Sequence, residues 1–417
     1  MTGLEPVVRD YLLLGLRFGR LVDGYVDCWT GDPALARQVA DEPRPEPAEL
    51  ARQATELSLA LAGSGLAEER RRFIAGQLRA LACAGRRLAG EQMPFLAELR
   101  EYFGVQVELS DLGRYEALQD ELAELLPGRG PLSERVVAFR DRDRLGPDDL
   151  LPAFRAVSDA LRTKLAPELD LPDGDHIEYV LVGDRPWNAF NEYLGGLRSR
   201  ITLNVDAGHW KSGLAIVATH EAYPGHHSDH CLKEQELIVG QGRDELRIAL
   251  VNTPQCLVAE GTAEQALAAT LGKGWGIWIE EVLRPVGLQL DGALAERVDE
   301  AMQALTEIRQ DAAILYHDRG WDAERVVDFV SRWMLVDTAR ARQVMRFLDD
   351  PLWRAYVTTY VEGRRLVGAW LAAGPPGEPA TARYRRLLAE QLLPETLQPE
   401  PPGAPRPVRE AAEHGRS

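Results

Sequence analysis

Apolar side chains recur every three or four residues from about residue 5 to residue 168. This spacing lines one face of an α-helix, so the segment is predicted to be a succession of amphipathic helices. Proline-rich stretches such as "DEPRPEPAEL" separate the periodic segments and mark places where a helix ends. The same periodicity resumes at residue 211 and continues to about residue 318. The pattern therefore predicts a mainly α fold.

One interval interrupts the helical pattern. Three short segments rich in β-branched and aromatic residues follow "LDLPDGD": "HIEYVLV" (176–182), "WNAFNEYL" (187–194) and "SRITLNV" (199–205). Such segments favour β-strands, so we expect one small sheet immediately before the next helix. The third strand is a candidate for pairing with an extended peptide.

These changes of pattern divide the chain into three parts. Residues 1–170 form an N-terminal helical region, residues 171–395 contain the sheet and the remaining helices, and residues 396–417 are rich in proline and polar residues. A segment of the last kind cannot bury enough apolar surface to fold, so we expect the tail to be disordered.

Composition narrows the range of partners. The net charge of −17 disfavours nucleic acid and anionic membranes, because like charges repel. No stretch approaches the ~20 apolar residues that a membrane span needs. The four cysteines form no C-x-x-C pair, and the first 21 residues lack the pattern of a signal peptide, so we expect a cytoplasmic protein. Composition predicts nothing about the oligomeric state.

The segment "ATHEAYPGHHSDH" (218–230) is unusually rich in histidine, since five of the eight histidines lie between residues 209 and 230. It begins like the zinc-protease signature H-E-x-x-H, but Pro224 stands where the second histidine belongs. On an unbroken helix His220 and His226 would lie about 240° apart and could not share one metal. Pro224 and Gly225 end the helix and allow the chain to turn back. The spacing therefore predicts that both histidines bind one ion.

A third ligand is predicted in "LVAEGTAEQAL", where Glu260 lies on a helical pattern 39 residues beyond Glu221. Metallopeptidases that use a glutamate ligand take it from a second helix downstream, with an acidic residue one turn later. Glu264 occupies that position and is a candidate acceptor for a hydrogen bond from a ligand imidazole. The small residues beside Glu260 indicate close helix packing at this point.

The motifs "HEAYPGHH" and "AEGTAE" together resemble the bacterial family known as domain of unknown function 885. That family is grouped with the zincin metallopeptidases and has the pattern H-E-x-x-P-G-H followed by E-G-[WL]-A. The resemblance covers about residues 185–370. "SRITLNVD" resembles the strand that ends in the family's asparagine, here Asn204; "ILYHDRGW" places His317, and "YVEG" places Tyr360.

Three positions depart from the family's pattern. Asp229 stands in place of a glutamine, Ala313 in place of an acidic residue, and "RAY" in place of P-G-Q, which puts Tyr356 at the glutamine position. The metal motif itself is intact. The departures therefore concern contacts to the substrate and the transition state more than contacts to zinc.

The resemblance and the motifs imply a helical zincin-like metallohydrolase that holds Zn²⁺ with His220, His226 and Glu260. Glu221 is predicted to be the general base for a water that attacks an amide bond. His317 and Tyr360 are the candidate hydrogen-bond donors to the developing oxyanion.

Substrate contacts are predicted at Asn204, at Tyr356, which is a weaker third candidate for the oxyanion, and at Arg365, which can bind a carboxylate. The N-terminal helices are expected to wall a deep cleft over the metal, as they do in helical zincins. A cleft of this kind admits a short peptide or a small amide rather than a folded protein.

Other interpretations of the same residues remain open. His227 or His230 can replace His226 as a ligand, since His226 and His230 are four residues apart on one helix face. Two histidines and a carboxylate also bind Fe(II) in oxygenases. A helical binding or scaffold protein without activity, in which the histidines only cap a helix end, is the third class.

Overall fold

The computed structural model describes residues 4–185 and 187–398. Within them the chain is mainly helical, as the periodicity predicted. From Pro399 onward, the tail that was expected to be disordered lies outside the described residues. No helix among the described residues is long and apolar enough to cross a membrane.

Eight helices precede the three-stranded sheet in the described part of the chain. They are α1 (Pro6–Leu21), α2 (Pro33–Asp41), α3 (Pro47–Ala60), α4 (Glu68–Leu88), α5 (Phe95–Phe103), α6 (Leu112–Leu125), α7 (Leu132–Asp143) and α8 (Pro147–Leu169). Several begin at a proline, whose fixed φ and missing N–H suit the first helical turn.

Further helices follow the sheet. They are α9 (Gly213–Glu221), α10 (His226–Leu232), α11 (Pro254–Thr270), α12 (Trp275–Leu283), α13 (Gly292–Ala304), α14 (Ile308–His317), α15 (Ala323–Met334), α16 (Thr338–Asp349), α17 (Val357–Ala372), α18 (Ala380–Ala389) and α19 (Pro394–Leu397). A π-helical stretch, Lys233–Val239, continues α10. The periodic run that was expected to reach residue 318 is divided into α13 and α14 by a short 3₁₀ turn.

The predicted sheet is present and comes just before α9. Its strands are β2 (His176–Val182), β3 (Ala189–Tyr193) and β4 (Arg198–Asn204), in the order β2-β4-β3. Strand β4 pairs in parallel with β2 and antiparallel with β3. Both backbone edges of β4 are therefore used, and the suggestion that this strand receives a peptide is wrong. The free edges belong to β2 and β3.

A second, two-stranded sheet was not predicted. It joins β1 (Val26–Trp29) to β5 (Ile248–Leu250) in antiparallel register. Strand β1 lies inside the segment that was interpreted as helical throughout. Its partner is more than 200 residues away in the sequence, and a local pattern cannot show a pairing of that kind.

The hydrophobic core does not divide at residue 170. One buried cluster joins α1–α7 to α13–α16, and a second joins α8 to β4, α9, α12 and α18. Residues from before and after position 170 thus contribute to both clusters. The histidine-bearing segment lies where elements of the two clusters meet, because α11 contributes Leu257 to the first and Val258 to the second.

Candidate metal centre

Helix α9 carries the first half of the site. Its apolar residues Leu214, Ala215 and Ala218 are fully buried, which fixes the helix in the core. His220 and Glu221 form its last turn. The His220 side chain is 16% exposed, so it is accessible while its backbone is held firmly.

The break between α9 and α10 depends on Gly225. A Cβ at this position would overlap the backbone carbonyl of His220, so only glycine permits the close approach of the two segments. The Gly225 carbonyl then accepts a hydrogen bond from the Asp229 backbone N–H at 2.9 Å, which starts α10. His226 is therefore the first residue of the new helix and lies next to His220.

Helix α11 supplies the carboxylate. Thr253 caps its start by accepting from the Cys256 N–H at 3.3 Å, and Pro254 occupies the first turn. Gly261 packs directly on the backbone of Gly363 in α17, and a side chain at either position would collide with the other helix. The close contact that the small residues indicated is thus with α17, and it turns Glu260 toward the histidines.

Three donor groups converge where these elements meet. The Nε2 atoms of His220 and His226 are 3.1 Å apart. One carboxylate oxygen of Glu260 lies 3.4 Å from His220 Nε2, and the other lies 3.5 Å from His226 Nε2. Among the described residues this is the group of histidine, cysteine and acidic side chains that could hold a metal ion.

These separations suit a tetrahedral metal. Bonds of ~2.0–2.1 Å at tetrahedral angles place neighbouring donor atoms roughly 3.3–3.4 Å apart. The Oε2 atom of Glu260 is buried and has no hydrogen-bond partner among the described residues, because its 3.4 Å approach to His220 lacks hydrogen-bond geometry. A buried carboxylate oxygen without a partner is costly unless a cation satisfies it. The donor set therefore fits a zinc ion.

A second layer of residues orients the three donors. Glu264 Oε1 lies 3.5 Å from His220 Nδ1, on the side of the ring opposite the cluster. The Tyr356 hydroxyl donates to Glu260 Oε1 at 2.6 Å. Tyr356, predicted to contact the substrate, thus contacts a donor instead. In metal sites, a hydrogen bond to a histidine ligand fixes the orientation of its ring, and a hydrogen bond to a carboxylate ligand fixes that of the carboxylate.

Charge in the cluster favours a cation at its centre. Burial opposes ionisation of Glu260, but the facing His226 and His220 lower its pKa to about 2. Burial likewise opposes protonation of His220, yet the carboxylates of Glu260 and Glu221 raise its pKa to about 9. The cluster thus stabilises positive charge at the point where the donors meet.

Glu221 lies beside the cluster without belonging to the donor group. Asn191 of β3 donates from Nδ2 to the Glu221 backbone carbonyl at 2.7 Å and so ties the end of α9 to the sheet. Burial, together with the charge of Glu260, raises the pKa of Glu221 to about 7 against the opposing effect of His220. A carboxylate tuned in this way exchanges protons near neutral pH.

Tyr360 borders the same centre, and Arg309 lies within range of the charges of Tyr360 and Glu264. The Tyr360 ring is 6.4 Å from the His220 ring, and burial next to Glu260 holds its pKa well above the usual value, so the hydroxyl is a neutral donor. Arg309 of α14 was not predicted. Its Nε is buried without a partner among the described residues, and burial beside Arg340 lowers its pKa while Tyr360 opposes this.

Three other predicted site residues are engaged elsewhere. Asn204 donates to the carbonyls of Arg185 and Trp187, both at 2.9 Å, and shapes the turn between strands. His317 bonds the Leu348 carbonyl through Nε2 at 2.7 Å and packs on an aromatic ring of α5. These contacts link neither residue to the metal donors.

Arg365 is the third. It pairs with Glu307 at 2.6 Å and Glu362 at 2.8 Å, in an open groove that also contains Arg114. Its charge is already neutralised, so it is a poor partner for a substrate carboxylate. Glu362 is three residues before Arg365 on α17, but Glu307 comes from the turn between α13 and α14, and the sequence offered no sign of that contact.

The alternative histidines point away from the cluster. His227 is fully buried and bonds Asp175 Oδ2 through Nε2 at 3.1 Å and Ser199 Oγ through Nδ1 at 2.8 Å. The His230 ring stacks on Tyr193 with centroids 4.7 Å apart. His226 is therefore the histidine of α10 that the fold brings to His220.

Asp27 is a further residue that the sequence did not reveal. It lies on β1 and lines one cavity with His226 and Glu260. Its side chain is exposed, and desolvation by the neighbouring protein raises its pKa to about 6, with His226 opposing and Glu260 adding to the rise. A lone acid in the apolar stretch "YVDCW" was the available signal.

No protein-family model and no curated protein matches the sequence. Two solved structures share the fold. One, from Colwellia psychrerythraea, is described as a "putative lipoprotein" and has 15% sequence identity and a TM-score of 0.51. The match covers 84% of this chain and 68% of the Colwellia chain. The other, a "putative lipoprotein of unknown function" from Shewanella oneidensis, has 13% sequence identity and a TM-score of 0.51. The match covers 87% of this chain and 74% of the Shewanella chain. At these identities the likeness concerns the fold alone.

Proposed function

We propose that the protein is a zinc-dependent hydrolase with a zincin-like site that cleaves amide bonds in short peptides. The observation that carries the proposal is the convergence of His220, His226 and Glu260 beside the Glu221 carboxylate, which interacts with the charges of His220 and Glu260. A glutamate directly after the first histidine ligand is what a hydrolytic base requires. Oxygenases that use Fe(II) have no need of it.

The three donors would hold the ion, and Glu264 and Tyr356 would keep them oriented. When bound, zinc supplies a Lewis acid that lowers the pKa of water and polarises an amide carbonyl. The fold contributes the open position, since the donor group consists of three side chains and a tetrahedral ion takes a fourth ligand.

Glu221 moves the proton in this proposal. Its carboxylate accepts a proton from the attacking water and delivers it to the nitrogen of the leaving amine, and the C–N bond breaks as that nitrogen becomes neutral. The Asn191 contact holds the backbone of Glu221 so that the carboxylate stays beside the reacting carbonyl.

Tyr360 is the donor that best fits the developing oxyanion. Its hydroxyl stays protonated, and its ring stands next to His220. Removing a donor of this kind typically costs ~10²–10³ in rate. Arg309, whose Nε has no partner among the described residues, replaces Arg365 as the candidate anchor for an anionic group of the substrate. His317 and Asn204 have no role in the proposal.

The cytoplasmic location is also a proposal, and it is supported by the cysteines. Cys28, Cys83, Cys231 and Cys256 are all free thiols, and three of them are buried. Free thiols of this kind are typical of a reducing compartment.

A peptide mixture tests the function directly. Zinc-loaded protein is incubated with peptides ranging from dipeptides to intact casein, and the products are followed by mass spectrometry. We expect cleavage of the short peptides, loss of cleavage after chelation and recovery on adding zinc. No cleavage of any amide by protein that contains zinc would contradict the proposal, and cleavage of intact casein alone would contradict the small-substrate part.

A further inference from the structure

A small cavity of about 50 Å³ adjoins the metal donors on the side of His226. His226 and Glu260 form part of its wall, and apolar side chains such as Ile238, Leu246 and Leu250 close much of the rest. One water occupies roughly 10–15 Å³ by this measure, so the cavity takes a group of only a few heavy atoms.

The charged groups of the cavity wall other than Asp27 face a partner of opposite charge among the described residues. Asp229 pairs with Lys233 at 2.6 Å. His230 stacks on Tyr193, and burial lowers its pKa to about 3, so it carries no charge. Asp27 has no salt bridge and no side-chain hydrogen bond within residues 4–185 and 187–398, since Lys233 of the same wall pairs with Asp229.

The Asp27 side chain is exposed, so water can solvate it in the free protein. A ligand that fills the cavity displaces this water and must then offer the carboxylate a cation or hydrogen-bond donors of its own. The metal does not meet this need, because Asp27 is not among the donor atoms that converge on the ion. The remaining source of positive charge is the substrate itself. A primary ammonium group carries one charge and three donors on a compact head, which suits both the volume of the cavity and its single free carboxylate.

We propose that Asp27 binds a primary ammonium group of the substrate in the cavity between β1 and α10. This inference rests on the proposed function, because it assumes that the substrate carbonyl lies at the metal. Since the cavity shares His226 and Glu260 with the metal site, the ammonium group belongs to the residue that donates this carbonyl. The nearest ammonium group to that carbonyl is a free α-amino group, and its recognition makes the protein an enzyme that removes amino-terminal residues.

Hydroxamates that bind zinc test this assignment without turnover. Isothermal titration compares leucine hydroxamate, N-acetyl-leucine hydroxamate and Nα-acetyl-lysine hydroxamate on the zinc-loaded full chain. The same ligands are titrated into Asp27→Asn and into Asp23→Asn, a nearby exposed carboxylate that serves as the matched control. Zinc content is measured for every variant.

Leucine hydroxamate is expected to bind the wild type and Asp23→Asn roughly ten- to a hundredfold more tightly than its acetylated analogue, as charge-assisted hydrogen bonds usually give. Asp27→Asn should abolish this difference and keep its zinc. If the lysine compound shows the advantage instead, Asp27 still binds an ammonium group, but one from a side chain.

Other results overturn the inference in distinguishable ways. Equal binding of all three hydroxamates to wild type removes the ammonium site and leaves the metal site intact. Loss of zinc from Asp27→Asn makes this residue a metal ligand. Failure of every hydroxamate to bind the wild type, together with absence of zinc, removes the proposed function and this inference with it.

Discussion

His226 and His227 are neighbours in the sequence and belong to opposite kinds of site. His226 faces a cluster in which Glu260 Oε2 has no partner and Tyr360 has an uncommitted hydroxyl among the described residues. His227 faces a sealed network in which Asp175 accepts from Arg162 at 2.9 Å and from Tyr223 at 2.5 Å, besides its contact with His227. The polar atoms around His227 have hydrogen-bond partners, whereas some of those around His226 have none among the described residues.

The difference shows how to separate a structural cluster from a functional one. Ser199, His227 and Asp175 contain the residue types of a catalytic triad, but Ser199 and His227 are about 1% and 0% exposed, so no substrate reaches them. Their saturated hydrogen bonds tie the start of α10 to β4 and to the loop before β2. This network fixes the position of His226, whose own ring is left free to bind a ligand.

The largest expected effect is on the rate of peptide hydrolysis, which should depend on Glu221 and not on Asp175. Glu221→Gln should lower peptide hydrolysis by roughly 10²–10⁴-fold while zinc and fold are kept, because the amide preserves shape and cannot take a proton. Asp175→Asn should keep most of the activity of each folded, zinc-loaded molecule. The measurement is the initial rate normalised to bound zinc; near-normal turnover by Glu221→Gln would remove it from the mechanism.

Asp175 is expected to matter for stability instead of activity. Asp175→Asn should lower the free energy of unfolding by about 3–5 kcal/mol, because it leaves the buried partners of this carboxylate unpaired. Asp173→Asn, an exposed carboxylate two residues away, should change it little. Urea unfolding of the three proteins measures the difference, and equal midpoints would show that the network contributes no stability.

The same carboxylate predicts a pH dependence. Burial raises the pKa of Asp175, but hydrogen bonds from His227 and Arg162 outweigh it and hold the pKa well below its usual value. A depressed folded-state pKa stabilises the fold above the unfolded pKa of ~3.9 and loses this contribution as the pH falls toward the folded value. The difference in unfolding free energy between wild type and Asp175→Asn should therefore be full at pH 6 and shrink below about pH 4. A constant difference from pH 6 to pH 3 would contradict the assignment.

A smaller effect is expected in the layer around the metal donors. Glu264→Gln should weaken zinc affinity by roughly 10–100-fold, because it removes the charge that faces His220 Nδ1. Glu281→Gln, an exposed glutamate on the neighbouring α12, is the control and should bind zinc as the wild type does. Competition with a chromogenic chelator gives both constants, and identical values would exclude a role for Glu264 in orienting the ring.

The parts of the site that the sequence predicted are set by local physics. The end of α9, the turn at Gly225 and the placement of Glu260 on a closely packed helix all follow from a few adjacent residues. The helical class and the strands at 176–204 were predicted for the same reason, since periodicity and β-branched residues act over short distances.

The parts that were missed depend on contacts between distant segments. Asp27 reaches the cavity because β1 pairs with β5, and Arg365 is neutralised by Glu307 from a different helix. His317 retains its place in a motif, but its ring is directed to the Leu348 carbonyl by the packing of α5 and α16. No window of the sequence contains both partners of any of these contacts.

The claim that His226 and not another histidine of α10 completes the metal site is tested most directly by elemental analysis. Wild type, His226→Ala and His230→Ala are purified without chelator, and metal per chain is measured by mass spectrometry. We predict about one zinc in wild type and in His230→Ala, with a strong loss in His226→Ala. Full zinc in His226→Ala combined with its loss in His230→Ala would contradict this account of the site.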